Sequence, residues 1–268
     1  MIIDISRVLF RNLKGRIPTG IDIVLIKYLE HYKDHTDLFI SRGKISFVIP
    51  NKYSSKILFC LINNKKFNLF SLLISLIYSF KYNLHFKKHA IFLNVGHTGL
   101  EKESYFKKVF SCSKNLTVIL YDLIPVNYKA YCLKNQSEIH QKRLLNITKY
   151  ASNVIAISDF VKNEYIEWCE INHLVPPNLF VNYLGSKFEN VIVKTSNMEN
   201  KNYYLAVGTI EPRKNYITLL NLWKSKIAKN YANSKLVIVG QYGWIFDKEK
   251  KLLSNKFLKN HVIHKEKC

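Results

Sequence analysis

The chain has 268 residues, of which 48% are hydrophobic and 22% are charged. This balance excludes an intrinsically disordered chain and allows one large domain or two modest ones. The formal net charge is +22, and six of the 41 basic residues are arginines, so the remaining 35 are lysines. Such an excess of positive charge is typical of a solvated lysine surface, or of a protein that is attracted to an anionic membrane surface or to anionic substrates. Neither zinc-finger spacing nor an aromatic RNA-binding signature accompanies it, so we expect no nucleic-acid partner.

Short β-like runs alternate with helix-like runs along the chain. Several of the β-like runs are continuously apolar, which is typical of parallel strands buried on both faces. This alternation indicates right-handed βαβ units and a doubly wound sheet, and therefore the α/β class. Helices are predicted at 21–32, at 159–171 with Ser158 as the N-cap, and at 216–231. The predicted strands are 1–6, 37–41, 45–50, 90–95, 116–122, 153–158, 179–184, 203–208, 235–240 and 261–264.

A polar stretch at 185–202 contains no strong element and is the predicted domain boundary. We expect a first α/β domain at 1–187 and a second domain at 200–268. The five cysteines form no CxxC pair and their number is odd, so a disulfide framework is not expected. They are interpreted as reduced thiols of a cytoplasmic protein.

One apolar run, FNLFSLLISLIYSF at 67–80, tests for a membrane span. Its 14 residues fall short of the roughly 20 that cross a bilayer. Lys65, Lys66 and Lys81 flank it. It is either a buried helix of a soluble domain or a helix lying in the membrane interface, with the lysines on anionic headgroups. A true span is the remaining alternative.

The segment AVGTIEPRKNYITLLNLW at 206–223 carries the strongest chemical signal. A strand is predicted to end at Gly208, where glycine lets the backbone turn without a Cβ penalty. The following loop would lie at the carboxyl end of that strand, where open α/β sheets bind ligands. Arg213 and Lys214 stand together just before a helix that is expected to start near Asn215. Two adjacent cations repel each other, so an anion such as a diphosphate would explain the pair; two solvated loop cations are the alternative.

YYLAVGTIEPRKNYITLLNLW followed by KLVIVGQYGW resembles the donor-binding domain of bacterial family-4 glycosyltransferases. These are retaining enzymes of the GT-B architecture, and the similarity is greatest to mannosyl- and rhamnosyltransferases of surface-polysaccharide assembly. The resemblance implies a near-complete Rossmann-like amino-terminal domain and a partial second one. It also implies that Arg213 and Lys214 meet the donor's diphosphate, and that Gly240, with Gln241, belongs to the next loop facing the donor.

Three stretches of the first domain are similar to the same family. GRIPTGIDIVLIKYL (15–29) resembles its glycine-bearing loop after the first strand, which places Thr19 and Gly20 near donor phosphate and acceptor. LNVGHTGLE (93–101) sets His97 where a family histidine hydrogen-bonds the donor sugar. VILYDLIPVNY (118–128) places Asp122 where an acidic residue could bind acceptor hydroxyls. An ordinary helix entry at Gly20, a structural histidine and a turn-capping aspartate are the alternatives.

The resemblance implies transfer of a mannose- or rhamnose-like hexose, with retention, from a nucleotide-diphospho-sugar such as GDP-mannose. The acceptor would be a surface-polysaccharide or lipid-linked glycan, reached from the cytoplasm at the inner face of the membrane. His97 and Asp122 are the catalytic candidates, and no cofactor or metal is implied. Family members continue beyond the point where this chain ends, with a two-glutamate motif, so a truncated and impaired chain is expected. A non-catalytic nucleotide- or sugar-binding remnant, or a subunit of a split transferase, is the alternative.

Overall fold

The computed structural model describes residues 1–66, 91–185, 203–227, 234–243 and 251–266, together with Ile77. The chain divides into two compact units. Unit 1 comprises Met1–Val126 and Glu138–Gly185, and unit 2 comprises Asn127–Ser137 and Ser186–Cys268. The predicted boundary beyond residue 185 and almost all of the apolar run at 67–80 lie outside the described residues. In the part of the chain that is described, no helix is both long and apolar enough to cross a bilayer.

Unit 1 is built on a seven-stranded sheet in the order β3-β2-β1-β4-β5-β6-β7. Only β3 is antiparallel to its neighbour, β2; every other neighbouring pair is parallel. The order extends in both directions from the β1–β4 pair, so the sheet is doubly wound, as predicted. The strands are β1 (Ile2–Asp4), β2 (Asp37–Arg42), β3 (Ile45–Ile49), β4 (Ile91–Asn94), β5 (Asn115–Leu120), β6 (Asn153–Ala156) and β7 (Asn178–Val181).

Helices cover both faces of this sheet, so its inner strands are buried on two sides. Consecutive side chains of β1 show this directly, because Ile2 belongs to one apolar cluster and Ile3 to the other. In β5, Val118 and Leu120 join the first cluster while Ile119 joins the second. This two-sided burial explains the continuous apolar runs. The helices are α1 (Ser6–Leu13), α2 (Gly20–Tyr32), α3 (Ser55–Ile62), α4 (Glu103–Cys112), α5 (Ile124–Asn127), α6 (Gln136–Tyr150) and α7 (Asp159–Ile171).

The first predicted strand, 1–6, is too long, because α1 begins at Ser6. The buried carboxylate of Asp4 ends the strand: its Oδ1 accepts a hydrogen bond from the backbone N–H of Ser6 at 2.8 Å. Helix α1 was not predicted, because Ile5 and Ser6 were included in the β-like run that precedes it. The N-cap prediction for α7 is confirmed, as the Ser158 hydroxyl accepts from the N–H of Val161 at 3.3 Å.

Unit 2 contains a parallel three-stranded sheet in the order β10-β9-β8. Its elements are β8 (Tyr203–Val207), α8 (Tyr216–Leu222), a π-helical turn at Trp223–Ile227, β9 (Lys235–Val239), α9 (Lys256–Lys259) and β10 (Val262–Lys265). Trp223, Leu220 and Ile238 are among the side chains that form its core. The predicted α/β class, with a large, mostly parallel sheet in the first part of the chain, is confirmed.

Candidate functional site

The candidate site of unit 1 lies at the carboxyl ends of β1, β4 and β5. The sheet order reverses direction between β1 and β4, and ligands of open α/β sheets bind at such a switch point. The loop after β4 carries His97, and the loop after β5 carries Asp122. Helix α1 packs closely against the loop that carries His97, because a Cβ atom on Gly96 would lie 3.3 Å from the Cβ atom of Arg7 in this helix. Predicted residues from separate stretches of the chain are thus brought to one edge of the sheet.

His97 is held in a left-handed backbone conformation, with φ at +56°, which is uncommon for a residue with a side chain. Its imidazole is only 9% exposed, and its Nε2 lies 2.6 Å from the carbonyl oxygen of Ile119. Burial, followed by the nearby His140, lowers the pKa of His97 to about 3. The ring is therefore neutral near pH 7, and Nε2–H donates to the carbonyl. Nδ1 keeps a lone pair that forms no hydrogen bond to any described residue.

Asp122 is half-buried at the end of β5. Its backbone oxygen lies 3.0 Å from Nε2 of His140, whose pKa burial lowers. Neutral His140 therefore donates this bond. The Asp122 carboxylate itself forms no hydrogen bond to the described part of the chain, so no hydrogen bond there supports the alternative that Asp122 caps the turn. It is an available acceptor for a hydroxyl group.

Thr19 and Gly20 lie at the start of α2, and α1 stands between the first strand and their loop. Their predicted position near donor phosphate and acceptor stays a prediction. Nothing lies within 4 Å of the position that a Cβ atom on Gly20 would occupy, so packing does not require glycine there. Both the backbone N–H and the hydroxyl of Thr19 donate to Oδ2 of Asp22 at 2.7 Å. The start of α2 is therefore firmly fixed and open above Gly20.

Two arginines, Arg7 and Arg11, pair with Asp22, and Arg16 lines the same small pocket as Arg11 and Asp22; we call these three arginines the arginine cluster. The fully buried Asp22 carboxylate lies 2.9 Å from Nε of Arg7 and 2.9 Å from Nε of Arg11. Burial alone would raise the pKa of Asp22, but hydrogen bonds from Thr19 and the charge of Arg7 outweigh it and lower the pKa. Arg16 lies beside Arg11, whose carbonyl accepts its N–H at 3.0 Å. Among the described ion pairs, Asp22 is the one carboxylate that pairs with this cluster, so the three arginines carry more positive charge than it neutralises.

The arginine cluster was missed in the sequence analysis, although a signal was present. Three of the six arginines of a chain with 35 lysines fall within ten residues, 7–16. Arginine differs from lysine in offering a planar, always charged fork that matches carboxylate and phosphate groups. Its concentration in one short segment of a lysine-rich chain is therefore informative.

The candidate site of unit 2 is the loop at 208–215, between β8 and α8. Gly208 has φ at +151°, which favours glycine, and its N–H donates to the carbonyl of Val239 at 2.9 Å. The Tyr216 hydroxyl donates to the Gly208 carbonyl at 2.9 Å. Asn215, with φ at +53°, leads into α8 and confirms the predicted helix start. Both ends of the loop are therefore anchored to the unit's own structure.

Arg213 and Lys214 are both exposed on this loop. Nε of Arg213 lies 2.5 Å from Oε1 of Glu211, whose side chain is only 10% exposed. The expectation that these cations need an outside anion to offset their repulsion is thus wrong for Arg213, which has a counter-ion two residues away. Lys214 forms no ion pair within the described residues. The loop presents one neutralised guanidinium and one uncompensated ammonium group.

Gly240 has a structural reason to be glycine. A Cβ atom there would lie 1.9 Å from the carbonyl oxygen of Gly208, so the backbones after β8 and β9 touch each other directly. The Gly240 carbonyl oxygen also lies 2.7 Å from Nε2 of His264 in β10. Gly240 therefore supports the loop at 208–215 from beneath; its predicted position facing a donor stays a prediction.

Neither a metal cluster nor a disulfide occurs in the described part of the chain. No group of three or more His, Cys, Asp or Glu residues there could hold a metal ion. Cys60, Cys112, Cys132 and Cys169 are free thiols, and burial raises the pKa of Cys112 and of Cys169.

Comparison with known proteins identifies a similar fold. No protein-family model matches the chain, and no curated protein sequence matches it. Among solved structures it is similar to Alr3699/HepE of Anabaena, whose crystal structure was determined in complex with UDP. The TM-score is 0.57 at 14% sequence identity, over 98% of this chain and 67% of HepE. At this identity the likeness establishes the fold alone, and it confirms the GT-B-like α/β fold predicted from the sequence.

Proposed function

We propose that the protein is a nucleotide-sugar glycosyltransferase, in which unit 2 binds the diphosphate of the donor and unit 1 binds the acceptor. The observation that carries this proposal is the exposed pair Arg213 and Lys214 at the carboxyl end of β8. It is supported by the fold shared with HepE, a protein crystallised with UDP.

The loop at 208–215 suits a diphosphate leaving group. Transfer of the sugar leaves negative charge on the nucleoside diphosphate, and fixed cations stabilise that charge as it develops. Glu211 engages Nε of Arg213, and the Nη groups form no hydrogen bond to described residues, so they can donate to phosphate oxygens. Lys214 adds an uncompensated point charge. In this proposal Glu211 orients Arg213 rather than competing for the ligand.

Unit 1 supplies hydroxyl-binding groups in the same proposal. The Nδ1 atom of neutral His97 accepts a hydrogen bond from a sugar hydroxyl, and the Asp122 carboxylate accepts one from the acceptor. The resemblance to family 4 adds retention of configuration, a mannose- or rhamnose-like hexose and GDP-mannose as the donor. It also adds a surface-polysaccharide or lipid-linked acceptor met at the inner face of the cytoplasmic membrane.

Calorimetric titration of the full chain with UDP and with GDP tests the donor site and identifies the base. We expect Lys214→Ala to weaken binding of the preferred nucleotide by about 1.5–3 kcal/mol, the typical contribution of a charge-assisted hydrogen bond. Arg213→Ala should weaken it comparably, but it also leaves the nearly buried Glu211 without its counter-ion, so its thermal stability is measured in parallel.

Lys224→Ala is the matched control, because Lys224 is exposed in the same unit but lies outside the loop. It should bind the nucleotide as the wild type does. Unchanged affinity in both loop variants would remove the donor site from this loop, and with it the proposed function.

A further inference from the structure

The Tyr121 side chain contains a buried polar atom without a partner. Tyr121 is 8% exposed, and its hydroxyl oxygen forms no hydrogen bond within the described residues. Leaving a buried hydroxyl unpaired costs about 1–3 kcal/mol. Buried polar groups in folded proteins are otherwise satisfied, so an orphaned one at a candidate site points to a missing ligand group.

The Tyr121 ring lies against the loop that carries His97, since 5.3 Å separates the centroids of the two rings. Burial and the neighbouring Tyr28 raise the pKa of Tyr121, so the hydroxyl keeps its proton and can donate. Arg7 reaches the same region from α1. A Cβ atom on Gly96, the residue before His97, would lie 3.3 Å from the Cβ atom of Arg7, and Nη2 of Arg7 donates to the Thr19 hydroxyl at 3.4 Å, at the start of α2. The same Arg7, with Arg143, disfavours protonation of the adjacent His97. Arg143 itself is paired with Glu101, at 3.3 Å.

The neighbouring helix start offers further donors and few free acceptors. Helix α2 is 13 residues long and begins at Gly20, above which the space is open. Its first backbone N–H groups and the helix dipole favour negative charge. The Asp22 carboxylate is engaged by Thr19, Arg7 and Arg11, so it is already neutralised. This part of the site therefore presents donors: a guanidinium, a hydroxyl and backbone N–H groups.

We propose that the switch-point site of unit 1 binds an oxyanion, a phosphate or carboxylate group of the acceptor, through Arg7, Tyr121 and the N-terminus of α2 at Gly20. This inference deepens the proposed function and rests on it, because it makes the acceptor an anionic molecule. The anion is held on the donor-rich side, while Asp122 and Nδ1 of His97 remain free to accept from its hydroxyl groups.

The test is calorimetric titration of inorganic phosphate into the full chain already saturated with UDP. The same titration on the Arg213→Ala/Lys214→Ala double variant keeps the test independent of the donor loop. Tyr121→Phe removes only the orphaned oxygen, so we expect at least a tenfold loss of phosphate affinity with unchanged UDP affinity. Its thermal stability should be no lower than that of the wild type, because the unpaired buried hydroxyl is itself unfavourable. Arg7→Gln should also lose at least tenfold, with some loss of stability because it unpairs Asp22.

Tyr165→Phe is the matched control. Tyr165 is fully buried in unit 1, but its hydroxyl lies 2.6 Å from the Thr148 hydroxyl, with which it shares a hydrogen bond. This variant should lose stability and keep its phosphate affinity, the reverse of Tyr121→Phe.

Three outcomes would overturn the inference. One is unchanged phosphate affinity in Tyr121→Phe, and another is no phosphate binding by the wild type at millimolar concentration. The third is a parallel loss of UDP and phosphate affinity in Tyr121→Phe, which would assign the anion to the donor. If the wild type does not bind UDP but Tyr121→Phe still lowers its phosphate affinity, the donor site in the loop at 208–215 is refuted and the oxyanion site is not.

Discussion

Replacing His97 by asparagine should change how the stability of the protein depends on pH. The buried imidazole is neutral in the folded protein, with a pKa of about 3, whereas an unfolded histidine has a pKa near 6.5. Asparagine tolerates the left-handed backbone at this position but cannot take up a proton. The variant therefore removes the titration while keeping the backbone conformation accessible.

The sign and size of the effect follow from linkage. Between pH 7 and pH 5 the unfolded chain binds a proton at His97 and the folded chain does not, so stability falls as the pH falls. With pKa values of about 3 and about 6.5, this one group contributes a loss of about 2 kcal/mol over that interval. The raised pKa values of the buried Asp4 and half-buried Asp37 act in the opposite direction, but equally in both proteins.

The measurement is urea denaturation at pH 7 and pH 5, followed by far-UV circular dichroism. The pH-dependent loss of unfolding free energy should be about 2 kcal/mol larger in the wild type than in His97→Asn. His173→Asn is the matched control, because His173 has a similar φ of +55° but an exposed side chain, and it should behave as the wild type does. An equal pH dependence in wild type and His97→Asn would refute the buried neutral imidazole.

Two further predictions concern stability alone. Gly240→Ala should destabilise unit 2 by about 1–3 kcal/mol in thermal melts followed by tryptophan fluorescence, because the new Cβ atom would overlap the Gly208 carbonyl. Gly20→Ala, with open space around its Cβ position, should melt as the wild type does, and equal losses in both variants would contradict the close approach of Gly240 to Gly208. Ser158→Ala should lower the free energy of unfolding by about 1 kcal/mol in urea, through loss of the N-cap of α7, and an unchanged value would show that the cap contributes nothing.

The strands could be predicted from the sequence because two-sided burial leaves a strong local pattern. The run predicted at 116–122, for example, is β5 at Asn115–Leu120, in which every residue after Asn115 is buried. Helix α1 left no such pattern at its start, since the strand before it has only three residues and a single residue, Ile5, separates the two. Missing this helix did not change the predicted fold class, because the order of the strands depends on the crossover connections between them.

The candidate sites were less predictable, because their contacts depend on neighbours in space. The approach of Gly240 to Gly208 arises from the parallel register of β8 and β9, in which Val207 lies opposite Val239. The pairing of Asp22 with Arg7 and Arg11 likewise requires α1 to pack against α2. By contrast, Glu211 lies within the quoted loop motif, and its pairing with Arg213 could have been foreseen from their spacing.

The arginine cluster also has a consequence for conformational entropy. A free arginine side chain loses about 2 kcal/mol of rotamer freedom when it is fixed in one conformation. Asp22 already fixes the Nε atoms of Arg7 and Arg11 in the folded protein, at 2.9 Å each. Much of that ordering cost is therefore met during folding, so a ligand that reaches these guanidinium groups meets a preorganised surface.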